Sequence, residues 1–441
     1  MSKLFEGIAK AQKSIAKSVG TDRMYNATEH NAHVCGIKIP ALAYQIYTLV
    51  DHLPFGIHGE SAPPHVGKTL MSIQKGIWAI QDGCWANITD TEHKNSVDMV
   101  LSMVRRELPK ELWPLFKHTP AYSLEESQQI NTQLWKTAKE DKILPIGDRY
   151  GIYNITDSML GAAGQDSIDT ILKEGFAKGR GYKEETLSIK NYCEAFDVQG
   201  AYYMWNTVQH AKKSLDPNAR GIGSWNVIGG DAPRFVSMTH TLMQRADQWD
   251  SVENNAKVSG HNIRLTLLKN GVGGDDRRTI MAGLRWTHVE DEETGQTAQE
   301  TWFDWDWSLG WLLAQQTLEN PKVPAGFKTR LKDILHFTVK NKNNVDCKKY
   351  SDKTLTYSQF GRCIEEDDET REAIKNLFGV KKVLNYKDSA VISDSVGEPK
   401  KRGRKKVTAV KQESTEQEQE DKKDSPDDTE TLVKEDFFED D

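Results

Sequence analysis

Eight residues, Ala62-Pro63-Pro64-His65-Val66-Gly67-Lys68-Thr69, narrow the folds open to this chain more than any other stretch. They match the phosphate-loop pattern Ala/Gly-x-x-x-x-Gly-Lys-Ser/Thr, with alanine in the first position. Such a loop works between a strand and a helix, because backbone N–H groups must surround phosphate oxygens at a helix N-terminus. The flanks fit. A short apolar run ends at Gly56-Ile57-His58, and Leu70 to Ile80 carries a helical pattern. In that frame Ala62, His65, Val66 and Gly67 line the phosphates of ATP. Lys68 reaches the β- and γ-phosphates, and the Thr69 hydroxyl holds Mg²⁺. Two departures predict a longer or reshaped loop: Pro63 and Pro64 have no N–H to donate, and Gly59 lies three residues earlier than the pattern's first glycine.

The surrounding chain alternates apolar runs and helical patterns from about residue 30 to 300. Cys84 to Ile88, Tyr150 to Ile155 and Ala201 to Trp205 read as strands. Strand and helix in repetition predict an α/β domain with a mainly parallel sheet. Ile263 to Leu268 and Thr279 to Trp286 flank a glycine-rich turn and read as a hairpin. Phe303-Asp304-Trp305-Asp306-Trp307 alternates as a half-buried strand does, its tryptophans packing in a core or stacking on bases. Residues 308–380 look like a smaller helical unit ending on Glu369 to Val380, where Ile374, Leu377 and Phe378 share a face. At the other end, Leu4, Ile8, Ala11, Ile15 and Val19 form one apolar helix face, which needs either this core or a neighbouring subunit to cover it.

Two carboxylate pairs sit where an ATPase needs them. Asp90-Thr91-Glu92-His93 follows the strand ending at Ile88, one strand and one helix beyond the loop. A carboxylate there orients and deprotonates the water that attacks a γ-phosphate, though such a pair after a strand also serves as a helix cap. Ile152 to Asp157-Ser158 is an apolar strand ending in a carboxylate, placed either beside Mg²⁺ at the carboxyl end of a sheet or in a plain turn.

The formal charge of −7 is uneven. Residues 411–441 hold 14 acidic and 4 basic side chains, a net −10 that leaves +3 for the rest. Lys400-Lys401-Arg402-Gly403-Arg404-Lys405-Lys406 precedes them. A basic run before an acidic tail suits a nucleic-acid partner with a built-in electrostatic competitor; a solubilising disordered tail has the same composition. The five cysteines are far apart, without the spacing of a zinc site or a disulfide framework, which fits free thiols in a reducing cytosol. No apolar run reaches 18 residues, and no signal-peptide pattern opens the chain.

Taken in order, these pieces resemble the RecA family of recombinases, phage versions included. The resemblance implies that Glu92 is the catalytic base and that Thr69 and Asp157 hold the metal. It also implies a γ-phosphate sensor on the strand carrying Trp205-Asn206-Thr207-Val208; Asn206 is grouped with the nucleotide contacts, and Gln209 and His210 follow directly. The family's mobile DNA-binding loop closes on Gly-Gly-Asn-Ala-x-Lys-Phe, and here Gly229-Gly230-Asp231-Ala232-Pro233-Arg234-Phe235 stands in that place. The segment before it supplies Lys212, Lys213 and Arg220 to neutralise phosphates and Trp225 to stack on bases, or else Trp225 is a core residue under a surface loop. A first DNA loop would fall in residues 161–183, with Lys178 and Arg180 among glycines. Leu268-Lys269-Asn270-Gly271 keeps one of two lysines that reach the ATP of an adjacent subunit, making Lys269 the cation in trans, with Arg277 or Arg278 as substitutes for the missing one.

The resemblance implies a RecA-like P-loop ATPase core at 30–300, an N-terminal polymerisation helix and linker at 1–29, a small C-terminal domain at 301–388 and a disordered basic-then-acidic tail at 389–441. Its activity would be DNA-dependent ATP hydrolysis in a cytoplasmic, nucleoid-associated filament. The filament would lie on single-stranded DNA and pair it with duplex DNA in recombination and repair. Accessory partners would be a mediator or a single-strand-binding protein, and no membrane. Two other classes share the residues: a hexameric helicase motor, and a non-catalytic scaffold for single strands with a degenerate ATP site.

Overall fold

The structure, a computed structural model, describes residues 35–93, 97–141, 151–159, 191, 203–213, 225–227, 232–253, 256–272, 274, 277–290, 297–341, 344–350 and 354–385. By internal contacts the chain divides into a unit spanning Met1–Ser395 and one spanning Val396–Asp441; the second lies outside the described residues, as do the expected N-terminal helix and tail.

The first elements are β1 (Cys35–Lys38), α1 (Leu42–Thr48), β2 (His52–Pro54), β3 (Gly56–Ala62) and α2 (Lys68–Gln81). Then come β4 (Trp85–Asp90), α3 (Val97–Glu107), β5 (Phe116–Pro120), α4 (Leu124–Asp141), β6 (Ile152–Asp157), β7 (Tyr203–Lys213) and β8 (Trp225–Val227). The antiparallel part follows as α5 (Ala232–Val236), β9 (Thr239–Glu253), β10 (Ala256–Asn270), β11 (Thr279–Glu290) and β12 (Thr297–Asp304). The chain continues through α6 (Trp305–Trp311), a π-helical turn (Leu312–Leu318), α7 (Ala325–Leu335), β13 (Phe337–Asn341), β14 (Asn344–Cys347) and β15 (Thr354–Thr356). It closes on α8 (Tyr357–Glu365), α9 (Asp368–Phe378) and β16 (Leu384–Asn385).

A ten-stranded mixed sheet organises the fold, in the order β12-β11-β10-β9-β3-β7-β6-β4-β5 with β8 on the end of β7. From β9 to β5 all neighbours run parallel, and from β9 to β12 they alternate. The expected α/β class and the hairpin of β10 and β11 are therefore present. Parallel strands require crossover connections, and α2 supplies the first, returning from β3 to β4 across β7 and β6. Its packing is tight enough that a Cβ on Gly76 would meet Phe116 at 3.2 Å and Tyr153 at 3.4 Å.

The joint between the parallel and antiparallel halves is β3 beside β9, and two histidines fasten it. His58 donates to the Pro54 carbonyl and accepts from Thr239, both at 2.7 Å, while Ser61 and His240 are 2.6 Å apart. Burial pushes both rings down to about 3, so they stay neutral and keep one nitrogen as an acceptor. Only Thr239 to Leu242 of β9 lies alongside β3; the rest of the fifteen-residue β9–β10 pair runs on past the carboxyl end of the parallel strands.

Three sequence expectations change. The first strand does not stop at His58 but continues to Ala62, its last residues buried although two are polar. Glu60 is the reason. It forms a fully buried ion pair with Lys75 of α2 and accepts from Asn206 and, at 3.1 Å, from Ser72. The stretch 303–307 is not one strand: β12 ends at Asp304, whose carboxylate caps α6 by accepting from the Trp307 N–H at 2.8 Å. Finally, a boundary at 300 would cut β12, and β16 returns to pair with β1, so the segment after 300 shares its core with the large sheet.

The buried pair has a measurable consequence. Lys75→Met strands the Glu60 carboxylate in the core and should cost about 3–5 kcal/mol of unfolding free energy. Urea denaturation checks this, and Glu60→Met together with Lys75→Met should recover part of the loss, because no lone charge then remains.

Candidate active site

The carboxyl ends of β3, β4, β6 and β7 lie along one edge of the sheet, where open α/β sheets place their ligands. The phosphate-loop residues form the turn between β3 and α2. Two left-handed residues bend it, His65 at φ 60° and Gly67 at φ 99°. Gly67 suits its position for a second reason: a Cβ there would meet the Leu284 side chain at 3.1 Å. Pro63 and Pro64 occupy the far side of the turn, so N–H donors remain at His65, Val66, Gly67, Lys68 and Thr69. No side chain caps α2 at Gly67, which leaves the helix N-terminus open to an anion. Lys68 is largely buried and its ammonium lies 3.4 Å from the Pro63 carbonyl, reaching back across the loop.

Thr69 donates its hydroxyl to the Asp157 carboxylate. Residues 88 positions apart are thus brought together, and Asp157 ends β6 beside the phosphate-loop residues. A hydroxyl and a carboxylate side by side fit Mg²⁺, which usually takes one or two protein oxygens and fills its octahedron with water and phosphate.

Glu92 completes the arrangement. Its Oε1 accepts from Ser158 at 2.5 Å and from His210 at 3.1 Å, so the ends of β4, β6 and β7 meet on one carboxylate. Asp90 instead closes the turn after β4: its Oδ1 accepts from the N–H groups of Glu92 at 3.1 Å and His93 at 2.9 Å. The two carboxylates of the Asp-x-Glu pair thus have different partners, Asp90 the local backbone and Glu92 the ends of β6 and β7. Thr91 also donates to the Ser158 carbonyl at 2.6 Å, holding the β4 turn against β6.

On β7 the structure separates the sensor candidates. Asn206 faces α2 and is bound to Glu60 and Ser72 in the buried cluster, away from the loop. Its inclusion among nucleotide contacts is corrected on that ground. Gln209 is buried, with neither amide atom partnered. His210 lies beside Ala62 in register and touches Glu92, which makes it the β7 residue nearest the phosphate loop. Sequence reasoning named it only as a follower of Asn206; the signal is its position at even spacing from Asn206, on the same face of the strand.

Beyond His210, β7 leads directly to Lys212 and Lys213, both exposed, with Trp225 of β8 opposite Lys213. Arg234 lies in α5 over the ring of Phe235, which is 68% exposed. Lys269 sits at the other end of the antiparallel strands, beside His240 and thus level with Gly59, and donates to the Phe235 carbonyl. Within one chain it is not brought to Thr69. Of its possible substitutes, Arg278 donates to the Ile46 carbonyl at 2.6 Å and Arg277 is exposed. Lys178, Arg180, Arg220, Gly229 and Gly230 lie outside the described residues.

Two recesses, of about 760 and 550 Å³, lie away from the loop. A site that grips phosphate with backbone N–H groups is an open notch and needs no deep cavity. Among the described residues no helix is long and apolar enough to cross a membrane. Comparison with protein-family models and with curated proteins finds no match for this chain. Fold and site together define a mixed α/β protein with a strand–loop–helix notch, flanked by a Thr–Asp pair and a carboxylate held by two donors.

Proposed function

We propose that this chain is an ATP-dependent recombinase of the RecA type, which coats single-stranded DNA as a filament and pairs it with duplex DNA. The observation that carries this reading is the convergence of Thr69, Asp157, Glu92, Ser158 and His210 at one sheet edge, on the strand that leads straight to Lys212 and Lys213. In this reading Lys68 and the loop N–H groups bind the triphosphate. Thr69 and Asp157 hold Mg²⁺, which supplies charge neutralisation on the phosphates when bound. Glu92 takes the proton of the attacking water, and Ser158 and His210 fix its orientation. His210, in register with Ala62 and bound to Glu92, is in this reading the sensor of the γ-phosphate, so that loss of that phosphate is felt by β7. Two residues further along, Lys212 and Lys213 neutralise DNA phosphates, and Trp225 offers an indole to the bases.

Assembly is the second half of the reading. Phe235 and Lys269 lie together, level with the middle of β3 rather than at its carboxyl end, with a large apolar ring open to solvent. A head-to-tail contact needs such a patch on the side away from the nucleotide, and Lys269 then acts on the ATP of the next subunit.

Electron microscopy with single-stranded DNA and a slowly hydrolysed ATP analogue, run beside an ATPase assay, tests the proposal. Helical filaments and DNA-stimulated hydrolysis are expected. Closed rings with directional unwinding would replace it with the helicase motor. Nucleotide binding without turnover would replace it with the scaffold.

A further inference from the structure

The larger recess, of about 760 Å³, opens where the start of β11, the π-helical turn, the first turn of α7 and the end of α9 meet. Its size is within the roughly 300–1,000 Å³ of ligand pockets. Trp311, Val323, Phe327 and Phe378 form apolar walls, and each is only partly buried, so their surfaces are open to whatever enters. Phe327 and Phe378 meet edge to face, with centroids 5.1 Å apart, an arrangement that can take a further aromatic ring in the same way.

The rim around these walls is basic. Lys322 lies in the loop before α7, Arg330 on α7 with its guanidinium 5.8 Å from the Phe327 centroid, and Lys381 just after α9. All three are exposed and stand outside any ion pair among the described residues, with the exposed Glu319 set against them. The first turn of α7 adds to the same sign. Pro324 precedes it without a side-chain cap, so its N–H groups favour an acidic occupant.

An occupant that answers both features carries aromatic rings between carboxylates. The sequence holds such a segment at 432–441, Leu432-Val433-Lys434-Glu435-Asp436-Phe437-Phe438-Glu439-Asp440-Asp441, with five acidic side chains against one lysine. Phe437 and Phe438 are the only aromatic side chains in the sequence after Tyr386. Charge alone would explain a solubilising or competing tail, but it leaves two adjacent phenylalanines without a use. We propose that the recess binds residues 432–441 of a second copy of this chain. The phenylalanines enter against Val323, Phe327 and Phe378, and the carboxylates face Lys322, Arg330 and the open turn of α7. Such a contact adds to the assembly proposed above but needs neither nucleotide nor DNA.

The test titrates a peptide of residues 432–441, blocked at both ends and carrying a fluorophore, against the full chain bearing Phe437→Ala and Phe438→Ala, whose own segment no longer competes. Fluorescence anisotropy should give a dissociation constant on the order of 10–100 μM. The same peptide without its two phenyl rings should bind about 10-fold more weakly or worse. Lys322→Glu with Arg330→Glu, both at exposed positions, should weaken the peptide about 10-fold, and binding should fall as salt rises. Val323→Lys separates the apolar wall from the rim: it adds positive charge yet should still weaken binding several-fold, because it spoils the wall. At about 1 μM a segment tethered at millimolar effective concentration would stay docked on its own chain, whereas a second copy would not. The unaltered chain at that dilution should therefore bind the peptide as well as the altered one does. No binding, equal binding without the phenyl rings, indifference to the two charge reversals, or tighter binding by Val323→Lys overturns the proposal. A recess closed to the peptide in the dilute unaltered chain overturns the assignment to a second copy. With ATP and DNA both left out, none of these outcomes decides the recombinase reading.

Discussion

Glu92→Gln should leave ATP and DNA binding intact while slowing hydrolysis by about 10²–10⁴, the usual cost of losing a general base. The amide keeps an oxygen that accepts from Ser158 and His210, so the turn after β4 stays in place. What disappears is the ability to take a proton. Single-turnover ATP hydrolysis, with nucleotide affinity measured separately, reads the two effects apart. Normal turnover in this variant would move the base elsewhere. The neighbouring Asp90 is a poor substitute, since its carboxylate is spent on two backbone N–H groups and lies 3.3 Å from His118.

Lys68→Ala should weaken ATP binding by about 100-fold or more. A hydrogen bond to a charged group contributes about 1.5–3 kcal/mol, and here the ammonium is the main cation the loop itself offers to the β- and γ-phosphates. Its long contact to the Pro63 carbonyl is one that a phosphate oxygen can replace. Lys68 opens α2 rather than filling the core beneath it, and alanine keeps the helix, so the fold should survive, as circular dichroism would show. Unchanged nucleotide affinity in a folded variant would remove the phosphate-loop reading, whatever the outcome for Glu92.

How much of this was legible beforehand depends on the range of the interactions. Gly67, Lys68 and Thr69 were readable because the loop is one local sequence between a strand and a helix. Asp157 and Glu92 were readable as carboxylates at strand ends, but their partners were not: Thr69 meets Asp157 and His210 meets Glu92 only through the strand order β3-β7-β6-β4, which no local pattern encodes. Asn206 misled for a related reason. On a strand, neighbours alternate faces, and without knowing what covers each face a polar residue at a strand's middle looks like a ligand contact. Here it serves a buried ion pair. The same pair hid the end of β3, since Glu60 and Ser61 read as polar loop until Lys75 and His240 are brought against them. At residues 303–307 two periodicities competed, and the Asp304 cap decided for a helix.

The long β9–β10 pair sets a mechanical scale. Beyond Leu242 it continues for eleven residues of β9, roughly 36 Å at about 3.3 Å per residue. Its root touches the phosphate turn, where Gly67 abuts Leu284 and Ile263. A two-stranded ribbon backed along its β10 side by β11 behaves as a cantilever: a tilt of about 5° at the root swings the far end by roughly 3 Å. Displacements too small to see at the notch would thus be largest at the tip, and a pair of spin labels placed there would register nucleotide occupancy with the greatest leverage.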